Sequence, residues 1–265
     1  MTPDEEFKKQ CSSEVRDMHA DSELLDLTRR WFARANAFKY SYHFESMGRP
    51  VIQYPQDLIA LQEIIYQVRP DVIIETGIAR GGSLIHSASQ LALLDLVDAI
   101  GSGTTIDPSA SYRCVIGIDI DIREHNRAGV EAHPMSSRIH MIQGSSTDPR
   151  IVEQVTRLIE PGRTVLVLLD SNHTHEHVLA ELHAYAPLVS PGSYCVVFDT
   201  IIEDMPADAY PNRSWGLGDN PKTAVREYLS SHPEFTVDRA IDNRLLISVA
   251  PEGYLRRRLR GDTAG

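Results

Sequence analysis

The chain has 265 residues, 42% of them hydrophobic, enough apolar mass for one domain of generous size with a buried core. A formal charge of −11, with no Lys/Arg cluster apart from Arg256, Arg257, Arg258 and Arg260, argues against nucleic acid as a partner. The longest apolar runs are strand-sized, so no membrane span is expected, and the charged start MTPDEEFKKQ lacks the apolar stretch of a secretory signal, which predicts a cytoplasmic location.

Residues 1–50 read as an N-terminal helical extension. From Asp4 to about Lys39 the pattern is polar with apolar residues at helical spacing (Leu24, Leu25, Leu27, Trp31, Phe32), and Asp21 or Ser22 is placed to cap a helix. A loop containing Tyr40, Tyr42 and His43 follows. Tyr54-Pro55 then opens a helix whose apolar stripe is Leu58, Leu61, Ile64, Ile65 and Val68. After Arg69-Pro70 the helical period gives way to a short β-branched run, Asp71 to Glu75, ending in Thr76-Gly77 and followed by Gly81-Gly82-Ser83 and a helix toward Leu96. The alternation repeats, with strands predicted at 115–119, 139–143, 165–170 and 194–199 and helices at 151–159 and 175–188. Near-continuous apolar strands alternating with helices predict a mostly parallel, Rossmann-like α/β sheet covered on both faces. After a helix at 223–230, the runs 235–241 and 244–249, joined by Asp242-Asn243, predict a terminal antiparallel hairpin. The α/β domain is expected over 51–255, and 256–265 reads as a basic, flexible tail. Cys114 and Cys195 lie in apolar runs and read as core; together with Cys11 they form no metal or disulfide pattern.

Glu75-Thr76-Gly77-Ile78-Ala79-Arg80-Gly81-Gly82-Ser83 leaves the first parallel strand. Glycines let the backbone approach a ligand, and the next helix offers its N-terminal amides to a carboxylate or phosphate. The spacing E-x-G-x-x-x-G-G-S differs from the dinucleotide fingerprint, and its acidic start suits S-adenosylmethionine better than a pyrophosphate. A tight strand–helix turn without a ligand is the plain alternative. Asp119, in Gly117-Ile118-Asp119-Ile120-Asp121, stands at the C-terminal edge of the next strand, where a carboxylate can accept both ribose hydroxyls. Ser145 and Ser146 come to the same edge, either to contact adenine or as a capped helix start.

The fourth and fifth strands exit through Asp170-Ser171-Asn172-His173-Thr174-His175-Glu176-His177 and Phe198-Asp199-Thr200. Two carboxylates, Asp170 and Asp199, converging from neighbouring strand ends are costly to hold unpaired, and a divalent cation neutralises them. Oxygen ligands favour magnesium or manganese. His173, nearest the strand end, is the candidate general base, or a residue that supports one. His175 and His177 fall in the first turn of the following helix, one capping and one solvated.

Taken together, IIETGIARGGS, GIDIDIR, LLDSNHTHEHV, VVFDT and NPKTAV…APEGYL resemble the cephalosporin hydroxylase-like family that includes rhamnosyl O-methyltransferases, over roughly Gln53 to Leu255. The resemblance implies a class I methyltransferase fold, S-adenosylmethionine as cofactor, Mg2+ or Mn2+, and a sugar hydroxyl of a natural product or surface glycan as acceptor. By motif it assigns Glu75, Gly77, Ala79, Gly81 and Ser83 to the methionine part of the cofactor, Asp119 to the ribose, and Asp170 and Asp199 to the metal. Some members carry two acidic residues at the end of the fifth strand; here Phe198 precedes Asp199. The third metal ligand is therefore open between Glu203, Asp204, water and the acceptor.

The expected reaction uses Asp170 and His173 as catalytic residues on a small-molecule or glycan acceptor with vicinal hydroxyls. His173 removes the hydroxyl proton, and most of the acceleration comes from positioning. Tyr210–Asn220, with Trp215, reads as a loop closing over a sugar or as an ordinary surface loop. Two rival readings exist. A non-haem iron oxygenase would use Asp170, His173 and His175 as a facial triad, although the α/β alternation is wrong for the usual β-sandwich of such enzymes. An inactive nucleotide-binding protein of the same fold is made conceivable by Phe198 and opposed by the intact Asp170, Asp199 and cofactor loop. The helical extension is expected to serve a homo-oligomer.

Overall fold

The computed structural model describes residues 1–108, 110–259 and 261. Helix α1 (Pro3–Ala20) begins in a capping box between Thr2 and Glu5 and buries none of its residues. Asp21 caps α2 (Ser22–Asn36) by accepting from the amides of Glu23 and Leu24. α2 buries Phe32, whose ring stacks on Tyr54 at 4.9 Å. The predicted Tyr/His loop is a short 3-10 turn, Tyr40–His43, and after it a two-stranded hairpin forms from β1 (Phe44–Ser46) and β2 (Arg49–Val51). Its turn residues Met47 and Gly48 both have positive φ, as a tight hairpin turn requires.

The main layer follows in chain order: α3 (Pro55–Val68), β3 (Val72–Thr76), α4 (Gly82–Ser102), β4 (Cys114–Asp119), α5 (Glu124–Glu131), β5 (Ile139–Gln143), α6 (Pro149–Arg157), β6 (Val165–Leu169), α7 (His175–Tyr185), β7 (Tyr194–Val197), α8 (Pro221–Ser231), β8 (Phe235–Val237), α9 (Arg239–Leu245) and β9 (Tyr254–Arg257). The sheet order is β5-β4-β3-β6-β7-β9-β8. β3 to β7 are parallel, and β9 runs antiparallel between β7 and β8. Successive strand residues face opposite layers: Ile73 joins the core under α3 and α4, and Ile74 the core under α6 and α7.

The terminal antiparallel pair exists, and the first predicted run supplies its strand β8, but the second run, 244–249, is not a strand and no tight hairpin joins the pair. Residues 239–245 are helical because Asp238 accepts from the Ala240 amide as an N-cap, and Ile241 packs inward on the helical face. The partner of β8 is β9, in which Arg256 lies opposite Tyr194 and Thr236. The sheet thus continues two residues past position 255; of the predicted tail, Arg260 and 262–265 lie outside the described residues.

α4 is the one described helix long and apolar enough to cross a membrane by length and composition. It packs the fully buried Leu84, Ala88 and Leu91 against the sheet, while Leu93, Leu96, Val97 and Ile100 are exposed.

A buried carboxylate pins the C-terminal segment to α3. Asp57 is fully buried and accepts from Ser248 Oγ (2.6 Å), Tyr254 Oη (2.7 Å) and the Val249 amide (3.0 Å). Burial outweighs these three donors and pushes its pKa up to about 6. The folded state then keeps the proton to higher pH than the unfolded chain, so stability falls as pH rises from about 4 toward 6 and levels off above. Asp57→Asn should destabilise the fold by roughly 1–3 kcal/mol at low pH, because its amide sets a donor against other donors. In EDTA, that deficit should narrow by ~2 kcal/mol between about pH 4.5 and pH 7.5 in denaturant unfolding. A deficit independent of pH would show that Asp57 does not titrate in this range.

Candidate active site

The strand order reverses between β3 and β6, and at such a switch point the connections leaving the two strands diverge and open a crevice at their carboxyl ends. A cleft of about 980 Å³ lies there. One wall is the β3–α4 loop, the floor is Asp170 to His173 with Asp199, and the far wall combines Asn36, Lys39 and Tyr42 with Tyr210 and Trp215.

The β3–α4 loop has the shape its glycines predict. Gly77 has φ +89°, and a Cβ there would sit 1.9 Å from the Asp170 carbonyl oxygen, so only glycine lets the loop cross the end of β6. A Cβ on Gly82 would sit 2.1 Å from the Pro50 carbonyl oxygen, which seats the β1–β2 hairpin directly on the start of α4. Ala79 is held in a left-handed conformation at φ 46°. What holds it is Asp119: Oδ2 accepts from the amides of Ile78 (2.9 Å) and Ala79 (3.2 Å), and Oδ1 from that of Asp121 (3.0 Å). Asp119 is therefore the anchor of the loop, and it does not line the cleft.

Gly77, Ala79 and Ser83 line the cleft, whereas Gly81 turns behind them against Val130. Glu75 is buried beneath the loop, accepts from Ser83 Oγ, and faces a small interior pocket with Gln53, His86, Asp170 and Phe198. Burial pushes its carboxyl up to about 7. Ser145 and Ser146 stand away from the cleft: Ser145 Oγ meets Thr147 Oγ1 at 3.0 Å and Ser146 Oγ meets His177 Nε2 at 3.2 Å, while Asp148 caps α6.

Asp170, His173 and Asp199 come together as the two strand ends predict. Each offers one ligand atom, and these atoms lie within 4.8 Å of one another. His173 Nε2 is 3.3 Å from Asp199 Oδ2. Asp199 has φ 56°, the left-handed region, so its side chain leaves β7 at an angle a regular strand would not give. Loss of water around the Asp170 carboxyl, then the charges of Asp199 and Glu75, hold its pKa well above the usual carboxylate range.

Neither residue offered as a third ligand joins this group. Glu203 accepts from the Gly218 amide (2.8 Å) and from Asn220 Nδ2, which pins the 210–220 loop, and Asp204 pairs with Lys222. The pinned loop presents Trp215 edge-on to His173, ring centroids 5.2 Å apart. The two later histidines lie in the first turn of α7, as expected, but both rings are partly buried and have partners. His175 bridges to α8 through Thr223 (2.8 Å) and Glu227 (3.1 Å), and His177 joins a polar network with Ser146, Ser171 and the buried Glu181. Asp170, His173 and His175 consequently do not converge as a facial triad.

Sequence reasoning missed Gln53, Asp57 and the N-terminal wall, where Asn36 Nδ2 donates to Tyr210 Oη at 3.2 Å. No local pattern marks them, since each gains its role from a partner far along the chain.

A sheet of this order, with one antiparallel strand inserted before the last, a glycine loop after its first strand and acidic groups at the switch point, defines a class I methyltransferase fold. The model of the family Rhamnosyl O-methyltransferase/CmcI matches residues 38–258, and the chain belongs to this family of O-methyltransferases. It is 30% identical over 208 residues to a rhamnosyl O-methyltransferase of Mycobacterium tuberculosis (strain ATCC 25618 / H37Rv), covering 76% of this chain and 73% of that protein. A rhamnosyl O-methyltransferase of Mycobacterium leprae (strain TN) is 28% identical over 215 residues, 80% of this chain and 82% of its own length. A solved CmcI chain described with Mg and S-adenosylmethionine superposes with a TM-score of 0.51 at 22% identity, over 82% of this chain and 77% of that one, which shows the shared fold.

Proposed function

We propose that this protein transfers the methyl group of S-adenosylmethionine to a sugar hydroxyl, with Mg2+ or Mn2+ held by Asp170 and Asp199. The observation that carries the reading is the convergence of Asp170, His173 and Asp199 on the floor of the cleft, next to the glycine loop, in a member of this family. The residues fit both groups. The two carboxylates are hard oxygen donors suited to Mg2+ or Mn2+, and Asp170 is held out of water beside the charges of Asp199 and Glu75, a setting that a cation relieves. The loop from Gly77 to Ser83 exposes backbone at the start of α4, where the helix dipole favours the cofactor's carboxylate.

When bound, the cation acts as a Lewis acid toward a hydroxyl and the sulfonium supplies the methyl group. Asp170 and Asp199 fix the position of the charge. His173 Nε2 accepts the proton of the reacting hydroxyl, and Asp199, 3.3 Å away, stabilises the imidazolium that forms. Tyr210 and Trp215 offer aromatic faces to a sugar ring, and Glu203 keeps their loop over the cleft, where it limits water. The acceptor is a small molecule or glycan with vicinal hydroxyls. Gly77, Ala79 and Ser83 contact the cofactor; Glu75 and Asp119 act by holding that loop.

Calorimetric titration of S-adenosylmethionine with and without Mg2+ tests the reading. Micromolar binding in the wild type that is lost in Asp119→Ala, which removes the acceptor of the Ile78 and Ala79 amides in the loop, is the expected result. No binding by the wild type under either condition would overturn it.

A further inference from the structure

Gln53 sits between β2 and α3 and is only 3% exposed. Its backbone is clamped on both sides: Val51 pairs with Phe44 in the hairpin, and Tyr54 stacks on Phe32. From this rigid stretch the side chain reaches Asp170, where Nε2 donates to Oδ2 at 3.0 Å across 117 positions of sequence. Its Oε1 has no partner among the described residues. Gln53 lines both the cleft and the interior pocket behind it, so it stands between the carboxylate pair and the core.

We infer that Gln53 is the positioning residue of the cation site: its amide holds Asp170 Oδ2 and turns Oδ1 toward Asp199 and a bound divalent ion. This rests on the metal reading above. An amide suits the task for two reasons. It has a donor in a fixed plane, which restricts the carboxylate's rotation as the partners of ligating groups commonly do. It is also neutral, so it steadies the ionised carboxylate without competing with the cation as a lysine at that position would. The strand ends bring Asp170 and Asp199 near each other; Gln53 selects which oxygen faces inward.

The test is Mn2+ binding to the cofactor-free protein, followed by the electron paramagnetic resonance signal of the free ion. Gln53→Leu should weaken Mn2+ binding by roughly 10–100-fold, while the affinity for S-adenosylmethionine without metal stays near the wild-type value. Gln53→His, which keeps an N–H in reach of Asp170, should recover most of the affinity even if the Leu variant folds poorly. Unchanged Mn2+ affinity in Gln53→Leu, or the same loss in Gln53→His as in Gln53→Leu, would overturn the inference. A wild type that binds no Mn2+ would overturn the metal reading and this inference with it.

Discussion

Asp170→Asn should cut metal-dependent methyl transfer by roughly 10³-fold and at the same time raise the melting temperature of the metal-free protein. Both effects come from one charge. In the metal-free fold the Asp170 carboxyl is desolvated and lies beside Asp199 and Glu75, an arrangement that costs stability whenever it is ionised. Asparagine has the same size and still accepts from Gln53, so the floor of the cleft keeps its shape while the repulsion is relieved. At the proposed cation site the substitution removes one carboxylate ligand, and with it several kcal/mol of charge stabilisation, or roughly a 10³-fold fall in kcat/KM at fixed metal concentration. Methyl transfer from labelled S-adenosylmethionine to rhamnoside acceptors, with and without EDTA, reads the first effect, and calorimetric melting reads the second. Retained metal-dependent turnover would remove Asp170 from the cation site.

His173→Ala separates two roles that geometry alone places side by side, proton acceptor and metal ligand. As the base, His173 acts after the ligands have bound, so its loss should lower kcat by roughly 10²–10⁴-fold and leave Mn2+ and S-adenosylmethionine affinities near those of the wild type. The kcat deficit should shrink as pH rises and the acceptor hydroxyl gives up its proton more readily to solvent. If instead Mn2+ binding falls with activity, His173 is the third ligand, and the proton leaves by another route.

The sequence by itself determined the parts of this protein that depend on neighbours along the chain. Apolar runs at the right period placed the five parallel strands within a residue or two, because strand and helix formation depends on local patterning and on the local chemistry of Gly and Pro. The edge that carries the cleft was legible for the same reason: parallel strands all end on one side, so Gly77, Asp170 and Asp199 had to share it. Asp119 was legible in position, whereas its hydrogen bonds to the Ile78 and Ala79 amides were not, since they depend on how the β3–α4 loop folds back.

Only the tertiary structure decided the rest. Asp242-Asn243 has turn chemistry, yet the Asp238 cap and the core's demand for Ile241 made that segment helical. His175 and His177 looked solvated until α8 and the β5–α6 loop closed around them. Gln53 meets Asp170 across 117 positions, and Asp57 meets Tyr254 across 197. Such pairs leave no periodic trace, because a buried polar group is retained wherever folding happens to bring it a partner, and that partner is chosen by the packing of whole elements.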